Sequence, residues 1–353
     1  MPALKVFVTG VTGYIGGDAL AALHESFPEW QFSVLVRSEE KGAPVAKAYP
    51  GTKLVIGTLD DFDTIAAAAA EADIVLHTAD SSDHAGSAKA IAKGLHDGHS
   101  TDKPGYWIHV SGTGILCWYD MDHKRYGQPP LPEQSYDDLD NVDRVLNLPD
   151  TAFHRDVDKI VLAEAAKNPA AVKVAVVCPP TIYGVGRGPV NQRSRQVPAL
   201  VEATLKSGFG PKLYTGKTEW DNVHVKDLSS LFALLAKAAA DPSLYGNEDQ
   251  IWGPRAYFFA ENGTHVWGEV AEWAAKEAAI KGYLPKYEAR NITSEEAEEI
   301  AGFQALSWGL NSKGKALRAR KYLDWKPLCK SLDKEMTHMV DFEAERLGLK
   351  KGN

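Results

Sequence analysis

Lys5-Val-Phe-Val-Thr-Gly-Val-Thr-Gly-Tyr-Ile-Gly-Gly-Asp18 is the stretch that decides the fold. Residues 5–8 read as a short buried strand, and Gly10, Gly13 and Gly16 then occupy a turn and the first turn of a helix. Backbone amides approach a pyrophosphate only where no Cβ intervenes, and a helix N-terminus adds unpaired N–H donors with partial positive charge. The helix that follows carries Ile15, Ala19, Leu20 and Leu23 on one face, so strand, glycine turn and amphipathic helix come in the order a dinucleotide needs. A second strand over residues 31–36 arrives about 20 residues past the third glycine, as a βαβ unit requires. At its end stands Arg37 rather than Asp or Glu. A carboxylate there would repel a 2′-phosphate, whereas a guanidinium pairs with it, so NADP is expected over NAD, with Ser38 and Lys41 as helpers.

Apolar runs at residues 53–56, 73–77, 107–110 and 172–177 alternate with helical stretches, including the alanine run 66–70. Such alternation predicts an α/β fold, a doubly wound parallel Rossmann-type sheet with helices on both faces. After Pro179 the pattern loosens into Gly/Pro-rich loops, with helices expected near 197–206, 228–239, 266–280 and 294–301. Residues 1–180 are therefore expected to form the dinucleotide-binding domain. Residues 181–353 would form mainly a smaller C-terminal α/β substrate lobe, with some segments returning to the first domain.

The 353-residue chain carries a net charge of −8 and no visible cluster of Lys and Arg, which argues against a nucleic-acid partner. No apolar run approaches the roughly 20 residues of a membrane span, so no membrane association is expected and a cytoplasmic protein is. Cys117, Cys178 and Cys329 are widely spaced, suit a reducing compartment, and suggest neither a disulfide framework nor a metal site. The expected partner is a small-molecule substrate, and the chain is expected to be a monomer or homodimer.

Several spaced motifs resemble one family, the extended short-chain dehydrogenases/reductases, and the resemblance covers nearly the whole chain. Thr9-Gly-Val-Thr-Gly-Tyr-Ile-Gly16 is similar to its TGxxGxxG, and Gly57-Thr-Leu-Asp-Asp61 to its GDLxD turn, with Thr58 in place of the usual adenine-binding Asp. Leu76-His-Thr-Ala79 resembles the strand-four end that lines the cofactor, and Val110-Ser-Gly-Thr113 the serine-rich end of strand five. Cys178-Pro-Pro-Thr-Ile-Tyr-Gly184 resembles RPxxVYG, with Cys in place of Arg. Trp220-Asp-Asn-Val-His-Val-Lys-Asp227 resembles DFxHVxD, and residues 318–327 the terminal LGWxP element. The resemblance implies that Gly10, Thr12, Gly13, Tyr14, Ile15, Gly16, Arg37, Thr58, Leu59, Thr78, Ala79, Lys159, Pro179 and Ile182 hold the cofactor.

In that family a Ser or Thr hydroxyl, a Tyr and a Lys four residues later handle the proton that accompanies hydride transfer. Thr113 falls at the hydroxyl position. The Tyr-x-x-x-Lys motif is absent in its usual form: Lys159 is the counterpart of the Lys, but Arg155 stands where the Tyr belongs. A register slipped by one pairs Asp156 with Ile160 and restores no tyrosine. Arg155 would then act as an oxyanion clamp, and Tyr183, His154, Tyr119 and Tyr126 stand as alternative proton sources. Tyr183, Asn191, Arg193, Arg195, Trp220 and His224 are expected around the substrate, whereas His77 reads as a packed histidine. Three readings stay open: an NADP-dependent reductase of a small carbonyl- or imine-type substrate, a non-catalytic NADP sensor similar to the nitrogen-repression regulators of filamentous fungi, and a nucleotide-sugar epimerase or dehydratase.

Overall fold

The computed structural model describes residues 3–351. Its first half alternates strands and helices: β1 (Lys5–Thr9), α1 (Tyr14–Ser26), β2 (Gln31–Val36), α2 (Glu39–Ala48), β3 (Lys53–Ile56), α3 (Phe62–Glu71), β4 (Ile74–His77), α4 (Ala85–Gly98) and β5 (Gly105–Val110). A long insertion follows with α5 (Trp118–Asp122), β6 (Ser135–Asp137) and α6 (Val142–Leu146), then α7 (Arg155–Lys167) and β7 (Val172–Cys178). Beyond it lie β8 (Thr181–Tyr183), α8 (Gln196–Ser207), β9 (Gly210–Leu213), β10 (Glu219–His224), α9 (Val225–Ala240), α10 (Glu248–Ile251), β11 (Tyr257–Phe259), β12 (Thr264–Val266) and α11 (Trp267–Ile280). The last elements are β13 (Ala289–Ile292), α12 (Ser294–Ala301), β14 (Lys313–Lys315), α13 (Arg318–Tyr322) and α14 (Leu332–Arg346).

Seven strands form one parallel sheet in the order β11-β7-β5-β4-β1-β2-β3. This is the doubly wound arrangement, with its order reversing between β1 and β4, and ligands bind outside the strand C-termini at such a reversal. The strands are apolar because helices cover both faces: Val174, Val176 and Val177 of β7 are fully buried, each contributing roughly 1.5–3 kcal/mol. The alanine run reads correctly as a close-packed helix. A Cβ on Gly94 of α4 would fall 2.2 Å from the Ala66 carbonyl oxygen of α3, so only small residues let these helices meet.

A second hydrophobic core is built from α8, α11 and α14 around Leu200, Trp267, Val270, Trp308 and Val340. Meanwhile α9 returns to pack on α1, and Leu228, Leu231, Phe232 and Leu235 join the sheet core. The four expected helices run over Gln196–Ser207, Val225–Ala240, Trp267–Ile280 and Ser294–Ala301. Among the described residues no helix is long and apolar enough to cross a membrane.

Candidate active site

At the reversal, Gly10 adopts φ +79° and its carbonyl accepts from Gly13 N at 2.8 Å. A Cβ on Gly16 would lie 2.4 Å from both the Gly10 oxygen and Thr78 Oγ1, so α1 can start this close to β4 only with glycine there. The N–H groups of Tyr14, Ile15 and Gly16 have no backbone partner among the described residues, which leaves the donors an anion needs. Thr12, Gly13 and Ile15 are half-buried beside them. Thr9 Oγ1 accepts from Thr78 N at 3.1 Å and Ala79 N at 3.2 Å, and Thr78 Oγ1 donates to the Thr9 carbonyl at 2.7 Å. These bonds fix the end of β4 against the glycine turn. His77 accounts for its own burial by bonding Thr9 Oγ1 and Ser87 Oγ, as a packed histidine should.

At the end of β2, Arg37 is exposed, and its guanidinium has no hydrogen bond or ion pair with any described residue. Ser38 caps α2 by accepting from Lys41 N at 3.2 Å. Thr58 donates its N–H and hydroxyl to Asp61 Oδ2 at 2.6 and 2.9 Å, with Leu59 half-buried next to it. A free guanidinium at the strand end and unpaired amides at the glycine turn fit the anionic groups of a dinucleotide.

The start of α7 departs from expectation. His154, the residue before α7, sits in the left-handed region at φ +64°, a conformation costing roughly 1–2 kcal/mol. Its Nδ1 meets Asp83 Oδ1 at 2.7 Å, from the loop between β4 and α4. Its Nε2 overhangs the segment after β5: a Cβ on Gly112 or Gly114 would lie 3.3 or 3.1 Å from it. The His154 bond, more than any other influence, holds the Asp83 carboxyl below its usual range. An ionised carboxylate only accepts, so this bond puts a proton on Nδ1 and leaves Nε2 facing the segment that contains Thr113. Thr113 is 2 % exposed, its N–H donates to the Pro179 carbonyl at 3.0 Å, and its hydroxyl has no partner among the described residues.

One turn further along α7, Asp158 is fully buried against the sheet. Its Oδ2 accepts from Tyr257 Oη at 2.8 Å. Burial pushes this carboxyl up to about 6, against the lowering effects of Ser111, Tyr257 and the nearby His154. Tyr257 belongs to a register row in which Thr9, His77, His109, Val176 and Tyr257 stand side by side across five strands.

The helix phase takes the other expected residues elsewhere. Lys159 points outward, half-exposed, and pairs with Asp150 at 2.8 Å; Asp156 is exposed and Ile160 half-buried. Arg155 turns inward to donate to the carbonyls of Leu148 and Leu146 at 3.1 and 2.6 Å, tying down the loop after α6. Tyr183 donates to the Lys330 carbonyl at 2.8 Å and packs its ring edge on His224, and burial raises its phenol well above the usual range. Trp220 Nε1 donates to Leu310 O at 2.7 Å, and His224 caps α9 by accepting from Lys226 N. Tyr119 stacks on His123, and Tyr126 lies half-buried against the second core. Ile182 is half-buried and Pro179 buried at the start of the loop after β7.

The segment between β8 and α8 is fastened over α1. Tyr14 Oη donates to Gly184 O at 2.6 Å, and Arg187 donates to Asp18 through its N–H at 2.8 Å and Nη2 at 2.8 Å. Burial alone would raise the Asp18 carboxyl, but the Arg187 bonds outweigh it and hold it low. Arg193 reaches Glu343 at 2.7 Å and Glu202 at 3.0 Å, and Asn191 Oδ1 accepts from Arg193 N. Arg195 remains exposed at the start of α8, close enough to Asp83 for its charge to help lower that carboxyl.

No protein-family model matches the chain. Oxidase ucsJ of Acremonium sp is 39% identical over 352 residues, covering 98% of this chain and 99% of that protein. An uncharacterised protein of Schizosaccharomyces pombe is 26% identical over 92% of this chain and 95% of its own length. Among solved structures, the dTDP-glucose 4,6-dehydratase DesIV of Streptomyces venezuelae superposes with a TM-score of 0.66 at 16% identity, over 98% of each chain. The UDP-glucose 4-epimerase of Thermotoga maritima gives 0.61 at 14%, over 98% of this chain and 100% of that one.

Proposed function

The chain belongs to the extended short-chain dehydrogenase/reductase family, and we propose that it is an NADP-dependent oxidoreductase acting on a small carbonyl- or imine-type substrate, with His154 as the proton-transfer group. The reading rests above all on one observation, the His154–Asp83 bond that aims Nε2 at the segment after β5. When bound, the reduced nicotinamide supplies the hydride. The amides of residues 14–16 hold the pyrophosphate and Arg37 the 2′-phosphate.

His154 delivers its Nε2 proton to the substrate oxygen or nitrogen as negative charge develops there, and Thr113 lends its unpartnered hydroxyl to the same atom. Asp83 keeps the ring in the correct tautomer and stabilises the imidazolium. His154 and Asp158 are four residues apart, the spacing of a Tyr-x-x-x-Lys pair, but with inverted charge. A phenol is neutral as an acid and negative as a base, so it needs a cationic neighbour. An imidazole is positive as an acid and neutral as a base, so the neighbour that helps it is an anion. The name of the Acremonium relative, an oxidase, supports the same chemistry in reverse, with His154 Nε2 taking the proton from an alcohol or amine.

The test is consumption of NADPH across a panel of aldehydes, ketones and imines, and reduction of NADP with the matching alcohols and amines. Turnover in either direction, with NADP(H) preferred over NAD(H), is expected. Stoichiometric binding with no turnover across both panels would overturn the enzyme reading in favour of a sensor.

A further inference from the structure

Thr113 keeps its hydroxyl unpartnered among the described residues while both of its peptide groups are tied down. Its N–H donates to the Pro179 carbonyl at 3.0 Å, from the loop after β7, and its carbonyl accepts the hydroxyl of Ser312 at 2.7 Å, from 199 positions away. Ser312 is 1 % exposed and is itself held on both sides by β10: its N–H donates to Glu219 O at 2.9 Å, and its carbonyl accepts from Asp221 N at 3.1 Å. The flanking residues repeat the pattern. Asn311 accepts from Glu219 N at 2.8 Å through Oδ1, and donates through its N–H and Nδ2 to Asp120 Oδ2, both at 2.7 Å. Gly314 N donates to Asp221 Oδ2 at 2.6 Å. Residues 311–314 therefore form a buried polar seam between β10, whose Trp220 lies in the second core, and the segment from Thr113 to Asp120.

A β-branched side chain has few χ1 wells, and the backbone on either side decides which of them it occupies. Fixing the two peptide groups of Thr113 thus aims its Oγ1 without touching it. The bond on the N–H side comes from the sheet domain, and the one on the carbonyl side from Ser312. We propose that Ser312 is a positioning residue for the reaction: by binding the Thr113 carbonyl it fixes the direction of the Thr113 hydroxyl and ties that direction to the placement of β10. The effect on rate rests on the hydride-transfer reading, whereas the aim of the hydroxyl is tested without turnover.

Methyl NMR of the full chain labelled at threonine, with Thr113 assigned by its absence in Thr113→Val, would compare wild type with Ser312→Ala and Ser312→Cys. A single Thr113 rotamer is expected for wild type, an averaged one for Ser312→Ala, and an intermediate state for Ser312→Cys, whose thiol is a weaker donor. The other threonine methyls should stay in place, and a cooperative melt would verify folding. With any substrate that is turned over, Ser312→Ala should lower kcat about 3–10-fold, as for one lost hydrogen bond, and leave KM and the NADPH Kd within twofold. The same substitution should cost nothing further in Thr113→Val. A wild-type Thr113 already averaged, an unchanged rotamer in Ser312→Ala, shifts spread across the threonines of the fold, or losses that add in the double variant would each overturn the inference. A rotamer change in a chain that turns over no substrate would sustain the positioning while refuting the enzyme reading.

Discussion

The glycine turn at residues 10–16 and the proposed proton-transfer end at residues 83, 113 and 154 sit at neighbouring mouths of the same sheet, yet they keep to their family's pattern very differently. The turn retains its glycines because they are steric requirements: a Cβ on Gly16 would collide with a backbone oxygen and with Thr78 at once. The catalytic end is set by what a side chain can do with a proton, and another side chain with suitable neighbours can do the same. A phosphate cradle is therefore hard to redesign, whereas an acid–base pair can be exchanged whole, including the sign of its supporting charge.

That contrast can be broken by substitutions that should affect one region and spare the other. His154→Ala should lower kcat by about a thousandfold, within the range for loss of a general acid, while leaving the Kd for NADPH within twofold. A parallel loss of cofactor binding would merge the two regions into one. Arg37→Ala should weaken NADPH about 10–100-fold, as expected for a lost charge-assisted contact, and leave NADH almost unaffected. Titration of cofactor fluorescence measures both.

Asp158→Asn sharpens the comparison through pH. Burial raises the Asp158 carboxyl to about 6, so above that pH it is ionised and supports the imidazolium, and below it the support disappears. The wild type should therefore lose kcat as pH falls through about 6, and Asp158→Asn should lack that limb and run several-fold slower at pH 7.5. The raised value also means that the folded chain binds this proton more readily than the unfolded chain does. Asp158 then contributes most favourably at low pH and costs stability as pH rises towards and past 6. Asp158→Asn should be more stabilised relative to wild type at pH 8 than at pH 4.5, by roughly 1–2 kcal/mol in denaturant melts. The smallest effect belongs to Lys159→Ala, which removes only an exposed ion pair with Asp150 and should change kcat and NADPH affinity by less than twofold.

The cradle was legible in the sequence because glycine spacing and strand–helix periodicity express backbone geometry directly. The parallel, doubly wound sheet followed from the same alternation, but its strand order did not. The proposed proton-transfer end was only half legible. His154 was among the candidates, but looking for a Tyr and a Lys by identity anchored the register on Lys159, and neither register considered paired His154 with Asp158. The i,i+4 spacing of those two residues was the available signal. The Asp83 partnership was not accessible to spacing, since it spans 71 residues and depends on how the loop after β4 meets the start of α7. Helix phase, which spacing alone does not give, turns Arg155 towards the Leu146 and Leu148 carbonyls and Lys159 to solvent. Similarly, Tyr183, Trp220 and His224 already use their polar atoms within the fold.

The most direct measurement is the nitrogen-15 NMR spectrum of the histidine side chains, with His154 assigned by its disappearance in His154→Ala, recorded for wild type and Asp83→Asn with and without NADP. A His154 ring that keeps its Nδ1 proton, with its Nε2 resonance shifted by NADP and the Nδ1 preference lost in Asp83→Asn, is the predicted result. A ring with no proton on Nδ1, indifferent to both the cofactor and Asp83, would contradict the account.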